Sequence, residues 1–592
     1  MKKRFFVWLC ILAMLLALPV YAADSGAGTM LYRHQAFIAP ELTYHAAVYA
    51  GDAGAMQAGY CLELEPNGEV RPIVMACDTM YGGLTMDEAI AYTEGMGYNV
   101  VGAVNTAFYN SPGIPIGIVV ENGGLRSAAD GLNAFAILPD GSYYAAHAPK
   151  VRFALQGELW EDAMELQYLN KGMSTEDIYI YTEDFSTVST RVTERVWAVR
   201  MQILEGELTL SGALTLEVTE VLPQTGEVPI GKDTLILTAR TNGINGNGYA
   251  RFAVGDRLTL ETKCADEKLA EAGYITGCGD ILAENGMLTE ESTWSPFVAG
   301  SHPRTLVGWR SDGTLVMYVA DGRRAGYANG LTQRQAGEEM LRRACQTVVN
   351  MDGGGSSIIG VRQPGQWYVS TLNRPSDGAQ RQNAAYLMLV TEKKADGKAR
   401  YWHLRENGTY VLPNQKIDLH AFATDAGLYP AAADAEGLLY STLWGISREP
   451  VYRAAAQSGL QKISLFGKGA SGEGSVRVVT SPTRLYVAWA DGRPLGDLVV
   501  ENGQSLPLHI SGEYNGVPIA ADESCVTYEM SAPLGAADEN GVFTVNALHG
   551  TEGTLTMHIA DRSYTVQLRV VPSLRDYTDH RCKTALDFYL AG

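Results

Sequence analysis

Cysteine is scarce in this chain. Eight occur in 592 residues. One of them, Cys10, lies in an N-terminal leader. The other seven (Cys61, Cys77, Cys264, Cys278, Cys345, Cys525 and Cys582) are scattered and odd in number. That excludes a small disulfide-stapled scaffold, and no spacing among them resembles a zinc site. In an exported chain an odd count leaves at least one thiol unpaired or intermolecular. Cys264 and Cys278 could pair, a point the spacing leaves open. Positive charge is also in short supply: 46 Lys and Arg stand against 66 Asp and Glu, for a formal charge of -20. No basic stripe runs anywhere after the leader, which argues against nucleic acid as a partner, since the phosphate backbone must be met by clustered cations. After residue 20 no apolar run is long enough to span a bilayer.

The leader itself is informative. Lys2, Lys3 and Arg4 precede an apolar run from Phe5 to Val20, and Val20-Tyr21-Ala22 fits a small-residue cleavage site. Residues 1–22 therefore read as a signal peptide, with the mature chain starting near Ala23. The alternative is an uncleaved membrane anchor, because the run is long. Either way the protein is expected to be secreted or held at the cell envelope. The length suggests about three or four domains. Apolar residues make up 46% of the chain and charged ones 19%, enough for sizeable cores. Glycine, at 64 residues, is roughly a tenth of the chain against a usual ~7%, which favours turns and β structure.

One stretch organises the rest: Val348–Ile358, VVNMDGGGSSI. A short apolar run predicts a buried strand that ends at Asn350-Met351-Asp352, and three glycines and two serines follow. Consecutive glycines let the backbone come close to a ligand, and their successive N–H groups can form an anion-binding nest. No Gly-Lys-Ser/Thr closes the run, so it is not a nucleotide phosphate loop. A capped helix precedes this strand: Thr332 with Gln335 forms a capping box, and Ala336, Met340, Leu341 and Ala344 share one face. The same order occurs upstream. Leu84–Gly97 opens with a Thr85/Glu88 capping box and is followed by a strand, Tyr98–Val104, ending at Asn105. Asn105 and Asp352 thus both sit where a buried strand emerges.

Between these stretches Ile178–Tyr181, Val196–Leu204, Leu208–Val221, Thr234–Ala239 and Arg257–Thr262 read as strands, and Trp309–Val319 as a hairpin turning at Asp312-Gly313. Residues 391–400, TEKKADGKAR, are charged and aperiodic, which reads as a linker. Beyond it the text is all short strands and turns. The expected fold is α+β: a mixed-sheet catalytic domain with few helices over 30–390, then all-β immunoglobulin-like sandwich domains at 401–488 and 489–572. An amphipathic helical tail is expected over 573–592.

Several motifs then fall in a familiar order. Asn105/Phe108/Tyr109, Pro115/Gly117, Pro303/Arg304/Thr305, Asp352–Ser356 and Arg381 follow one another, and with them the chain resembles the phosphodiester glycosidase family over roughly residues 30–392. The family's glycine after Asn is Thr106 here, its second Phe is Tyr109, and Cys278 stands where Gly is usual. These departures bear on which sugar is taken more than on the reaction class. The resemblance implies hydrolysis of a sugar-1-phosphodiester at the sugar C1–O bond by an exported enzyme. Its partners would be a glycan or sugar phosphodiester, with cell-wall association through the trailing sandwiches. The alternative is a non-catalytic envelope protein that binds phosphorylated glycans and adheres through those sandwiches.

That reaction sets the candidates. The leaving group is a phosphate monoester, already a weak base, so stabilising its charge matters more than protonating it. Arg304 and Arg381 suit this, because a guanidinium fork matches two phosphate oxygens. The Gly353, Gly354 and Gly355 amides would add neutral donors. On the sugar side carboxylates usually flank an oxocarbenium-like centre. Asp352 is the first candidate as nucleophile, base or electrostatic stabiliser, followed by Glu194 and Asp321, and spacing does not divide acid from base among them. Asn105 and Ser356 would orient sugar hydroxyls. His302, beside Pro303, tempts as a general base. Each has a plainer role open to it: Arg304 in a surface ion pair, Arg381 bracing the linker, Asp321 in a hairpin turn, Glu194 solvated on a strand, Asn105 capping a turn, and His302 merely exposed in a loop. No cofactor is indicated. Calcium suits Asp and Asn oxygens, but no ligand loop is legible.

Overall fold

The structure is a computed structural model that describes residues 26–51, 55–129, 131–296 and 299–591. The signal-peptide expectation for 1–22 lies outside the described residues. The fold is mostly β, with 47% strand and 10% helix. Among the described residues there are four α-helices: Met86–Gly95, Glu267–Ala270, Gln333–Arg342 and Leu574–Ala591.

Two sheets hold the organising stretches, and they face each other rather than sharing a ladder. The first has eight strands and carries, side by side, Leu315–Ala320, Arg304–Arg310 and Cys345–Asn350. The second has five and places Asn99–Asn105 between Ile359–Val361 and Ala385–Thr391. All pairings in both are antiparallel. Their inner faces share one core, with Leu62, Val307, Met317 and Val349 from the first sheet against Val101, Val104, Ile359 and Leu387 from the second. Each outer face is covered by a helix. Met86, Ala89 and Ile90 pack on the five-stranded sheet, and Ala336 and Met340 on the eight-stranded one. With cover on both sides, Asn99–Asn105 and Ala385–Thr391 are buried at every position, which is why they read as unbroken apolar runs.

Both helices start as their sequences dictate. The Glu88 amide donates to Thr85 Oγ1 at 3.4 Å while the Thr85 amide donates to Glu88 at 2.8 Å. The Thr332/Gln335 box matches it, at 3.2 and 3.0 Å. Leu341 is only partly buried and Ala344 lies past the helix end with φ +65°, so the apolar face is shorter than the pattern suggested. The hairpin turning at Gly313 (φ +87°) is present. The five strands expected between residues 178 and 262 all form, in a separate eight-stranded sheet. That sheet shares a core with a five-stranded sheet containing Tyr274–Cys278.

Cys264 and Cys278 are both free thiols, as are the other described cysteines. The suggested bridge is absent because Cys278 points into the core between the sheets, fully buried. The boundary expected at 488 falls inside a strand, Arg484–Trp489, whose ladder partner is Leu508–Tyr514. That strand therefore pairs with the chain that follows it, where two three-stranded sheets and a four-stranded one contribute to a common core. The terminal helix Leu574–Ala591 forms, but almost all its described side chains are exposed.

Candidate active site

The ends of the two inner sheets meet at one point. Arg304 opens its strand and Asn350 closes the antiparallel neighbour, with Leu306 paired to Asn350, so both residues emerge at the same edge. Asn105 closes the buried strand of the opposite sheet. Its amide nitrogen donates to the Asp352 carbonyl at 2.7 Å, and its Oδ1 accepts from Thr305 Oγ1 at 2.8 Å and from the Ile358 amide at 3.0 Å. One buried side chain thus stitches the two sheets and fixes the glycine turn. Beyond it opens a cavity of about 210 Å³ lined by Phe108, His302, Pro303, Arg304, Arg323, Asn350, Asp352, Gly353–Gly355 and Arg381.

Burial pushes the Asp352 carboxyl up to about 6, against the opposing pull of the Ser356 hydroxyl, the Arg381 guanidinium and the Gly353 amide. Arg304 is 2% exposed. It donates to the Leu331 carbonyl at 2.8 Å and to the Gly300 carbonyl at 2.6 Å. Its burial and the nearby Arg323 pull its pKa down to about 10, so it stays charged at neutral pH but in an unfavourable field. Arg323 sits 3.3 Å from His302 Nδ1 and has no carboxylate partner among the described residues. Arg381 pairs with Asp377 at 2.5 Å. His302 lies below its ordinary value through burial and the two arginines, so its imidazole is neutral at pH 7. Asn350 Oδ1 is buried without any hydrogen-bond partner.

The glycine turn is built for close approach. Gly354 has φ +66°, and a Cβ there would lie 3.0 Å from Arg323. A Cβ on Gly353 would lie 2.8 Å from the Pro303 carbonyl. The expected nest is largely spent internally: the Gly354 amide donates to the Pro303 carbonyl at 2.9 Å and the Gly353 amide serves Asp352 itself. Among the described residues the Gly355 amide has no acceptor.

Residues 213–390 match the phosphodiester glycosidase family. Arg304, the Asp352–Ser356 turn and Arg381 fall inside that span, whereas Asn105 and Glu194 precede it. A 31% identity over 152 residues links the chain to the SPbeta prophage-derived uncharacterized protein YomE of Bacillus subtilis (strain 168), covering 26% of this chain and 22% of that protein. The chain therefore spans about a fifth of that relative's length. Among solved structures, a hypothetical protein from Synechocystis is similar at 17% identity and a TM-score of 0.48, over 59% of this chain and 62% of its own. The zebrafish N-acetylglucosamine-1-phosphodiester alpha-N-acetylglucosaminidase catalytic domain, auto-inhibited by its pro-peptide, is similar at 14% identity and a TM-score of 0.31, over 61% and 89%.

Within this phosphodiester glycosidase-like region the structure brings some candidates together and disperses others. Asp352, Arg304, Gly353–Gly355 and Arg381 line the cavity. Ser356 is buried directly behind, bonded to Asp352. Asn105 is fully buried and holds backbone, so it positions the turn and has no face toward a sugar. Two carboxylates stand elsewhere. Glu194 lies outside the cavity, half exposed, in an ion pair with Arg240. Asp321 is 1% exposed and is consumed by Asn373, the Arg374 amide and the Tyr327 hydroxyl, each at 2.9 Å. It braces the 373–374 loop. Arg323 and Asn350 are the lining residues that sequence reasoning missed, although each lies within or beside a quoted motif; His302, read from the sequence more plainly as an exposed loop histidine than as a general base, also lines the cavity. A calcium ion takes about six to eight oxygen ligands. One carboxylate among three guanidinium groups does not fit it, and among the described residues no cluster of three or more His, Cys, Asp or Glu could hold a metal.

Proposed function

We propose that the protein is an exported hydrolase of sugar-1-phosphodiesters, acting in the Asp352 cavity to release a sugar and a phosphate monoester. The observation that carries this reading is the pairing of one buried carboxylate with three arginines in a single cavity. Arg304, Arg323 and Arg381 line the same partly desolvated cavity, where a phosphodiester would add acceptors for their guanidinium groups. The sugar then lies toward Asp352, with a hydroxyl donated to the orphaned Asn350 Oδ1. As the C1–O bond breaks, the arginines and the Gly355 amide take up the charge growing on the departing phosphate. A water adds to C1. Its proton passes to neutral His302, and the Asp352 carboxylate beside C1 stabilises the positive charge there. A second carboxylate, usual in glycosidases, is not among the cavity's lining residues; the phosphate leaving group removes the need for a strong acid.

The trailing β-sandwiches, in this reading immunoglobulin-like spacers, would hold the enzyme at the cell envelope. The absence of a second carboxylate also favours a second reading, a non-catalytic receptor for phosphorylated glycans. Incubation with a panel of sugar-1-phosphodiesters, assayed for free reducing sugar, separates the two. A hydrolase releases sugar, and Asp352→Asn abolishes the release while substrate still binds. A receptor binds in both forms and releases none.

A further inference from the structure

Asp377 stands at the arginine end of the Asp352 cavity and takes no part in the proposed hydrolysis. Its Oδ2 accepts from Arg381 Nε at 3.0 Å and from Arg381 Nη2 at 2.5 Å. Those donors form one edge of the guanidinium, the edge that two phosphate oxygens would otherwise take. The pair lies directly over the glycine turn: a Cβ built on Gly355 would meet Arg381 Nη2 and Asp377 Oδ2 first. An anion bonded to Arg381 therefore comes within two hydrogen-bond lengths, about 6 Å, of this carboxylate.

A half-exposed ion pair is ordinarily worth little, because both side chains are free to swing. Here the loop that carries Asp377 is pinned. Buried Asp321 accepts from the Asn373 side chain and from the Arg374 amide, each at 2.9 Å. Asn373 also donates to the Ser357 carbonyl at 3.0 Å, just past the glycine turn. Arg324 donates to the Pro375 carbonyl at 2.7 Å, and the Gly378 amide closes a turn onto the same oxygen at 3.0 Å. The network around Asp321, which the chemistry does not use, thus fixes where Asp377 meets Arg381.

Charge decides what a carboxylate does in that place. A phosphodiester carries one negative charge, and a phosphate monoester about 1.5 to 2 at neutral pH. Arg304, Arg323 and Arg381 attract both, and by themselves they would favour the monoester, the product of the proposed reaction. Asp377 repels both, the monoester more strongly. In a medium between protein surface and water, one further charge at about 6 Å is worth about tenfold in affinity. Asp280 also acts on Arg304, but its oxygens are taken by the Ser295 amide and by Gln333.

We infer that Asp377 is a specificity-determining residue, whose charge against Arg381 tilts the cavity away from phosphate monoesters and toward phosphodiesters. This selection rests on the Asp352 cavity being a phosphodiester site. It also gives the product a way out, since the phosphate that leaves C1 takes the bonding electron pair and gains a negative charge beside Asp377.

The test uses the full chain carrying Asp352→Asn to prevent turnover. It is titrated calorimetrically at pH 8 with hexose-1-phosphate and with the methyl diester of the same compound. Adding Asp377→Asn, which keeps the shape and removes the charge, is expected to move the ratio of the two affinities at least tenfold toward the monoester. Asp377→Glu, which keeps the charge, leaves the ratio as it was. Melting curves check the fold of each variant. A merely structural loss would weaken both ligands together, so a ratio that Asp377→Asn does not move overturns the inference. A ratio that Asp377→Glu moves as far overturns it equally. Sugar release from the diester by the parent chain is measured alongside. Release with an unmoved ratio removes Asp377 from selection and leaves hydrolysis standing. A moved ratio in a protein that releases no sugar does the reverse.

Discussion

Asp352 holds its proton more tightly in the fold than a free carboxyl does, because burial pushes it from 3.8 up to about 6. The sign of the consequence follows from linkage. The folded state binds the proton better, so ionisation works against folding. The penalty is absent below the unfolded value and fully present above the folded one. Asp352→Asn should therefore raise the melting temperature at pH 8, by a stabilisation of about 1 kcal/mol after allowing for partial solvent screening, and leave it unchanged at pH 3.5. The same substitution should lower kcat by about a thousandfold or more. In the parent, kcat/KM should climb with pH through about 6 as the carboxylate forms. A pH–rate profile flat from 5 to 7 would remove Asp352 from the chemistry. At this scale the sequence was legible in which residues gather, since the Asp352 turn, Arg304 and Arg381 line one cavity. It was not legible where the role depends on a distant partner. Glu194 and Asp321 look as catalytic in text as Asp352 does. Only coordinates show Arg240 against the one and Asn373 with Tyr327 around the other. Conversely, Asn350 gains interest only because its Oδ1 is left bare.

The short turn from Gly353 to Ser356 is the element on which the site hangs. A Cβ on Gly355 would collide with Arg381 Nη2 and Asp377 Oδ2, both far ends of flexible side chains. A Cβ on Gly353 would press on the Pro303 carbonyl, which belongs to backbone and cannot swing away. Gly355→Ala should therefore fold with a loss of about 1 kcal/mol yet displace the Arg381–Asp377 pair from the cavity, cutting kcat/KM by about tenfold or more. Gly353→Ala should lose more stability, about 2 kcal/mol. Denaturant melts beside steady-state kinetics on the two variants separate these effects, and equal kinetic loss with equal stability loss would contradict the account. Capped helices and buried strands were readable here, since Thr85/Glu88, Thr332/Gln335 and the unbroken apolar runs are local signals. Strand partnership was not. Asn99–Asn105 pairs with residues more than 250 positions later, and nothing local to either strand says whether it lies beside Cys345–Asn350 or across the core from it.

For the whole molecule the stretch 391–400 decides how the parts are joined. Its charge and lack of period read as a linker, and the structure ties that linker down. Asp425, fully buried, accepts from the Asp396 amide at 2.9 Å and the Gly397 amide at 3.2 Å, while its other oxygen accepts from the Gly427 and Tyr429 amides at 2.9 and 3.0 Å. The loop so formed is pinned to the first part of the chain. Asn99 and Arg362 both donate to the Gly427 carbonyl, at 3.0 and 3.2 Å, and the Arg362 guanidinium lies 4.1 Å from the centre of the Tyr429 ring. One carboxylate thus organises both the strap and its dock, and because it lies beyond the strap in sequence, the charged stretch shows no sign of order by itself. Asp425→Ala leaves four amides seeking water. Each has to leave the buried loop to find it, so the strap should open while the sheets around Asp352 stay intact. Trypsin should then cut at Lys393, Lys394 or Lys398 at least tenfold faster than in the parent, with sugar release retained by the cleaved first part. Equal cutting of the parent at those lysines would mean that the stretch is loose despite these contacts.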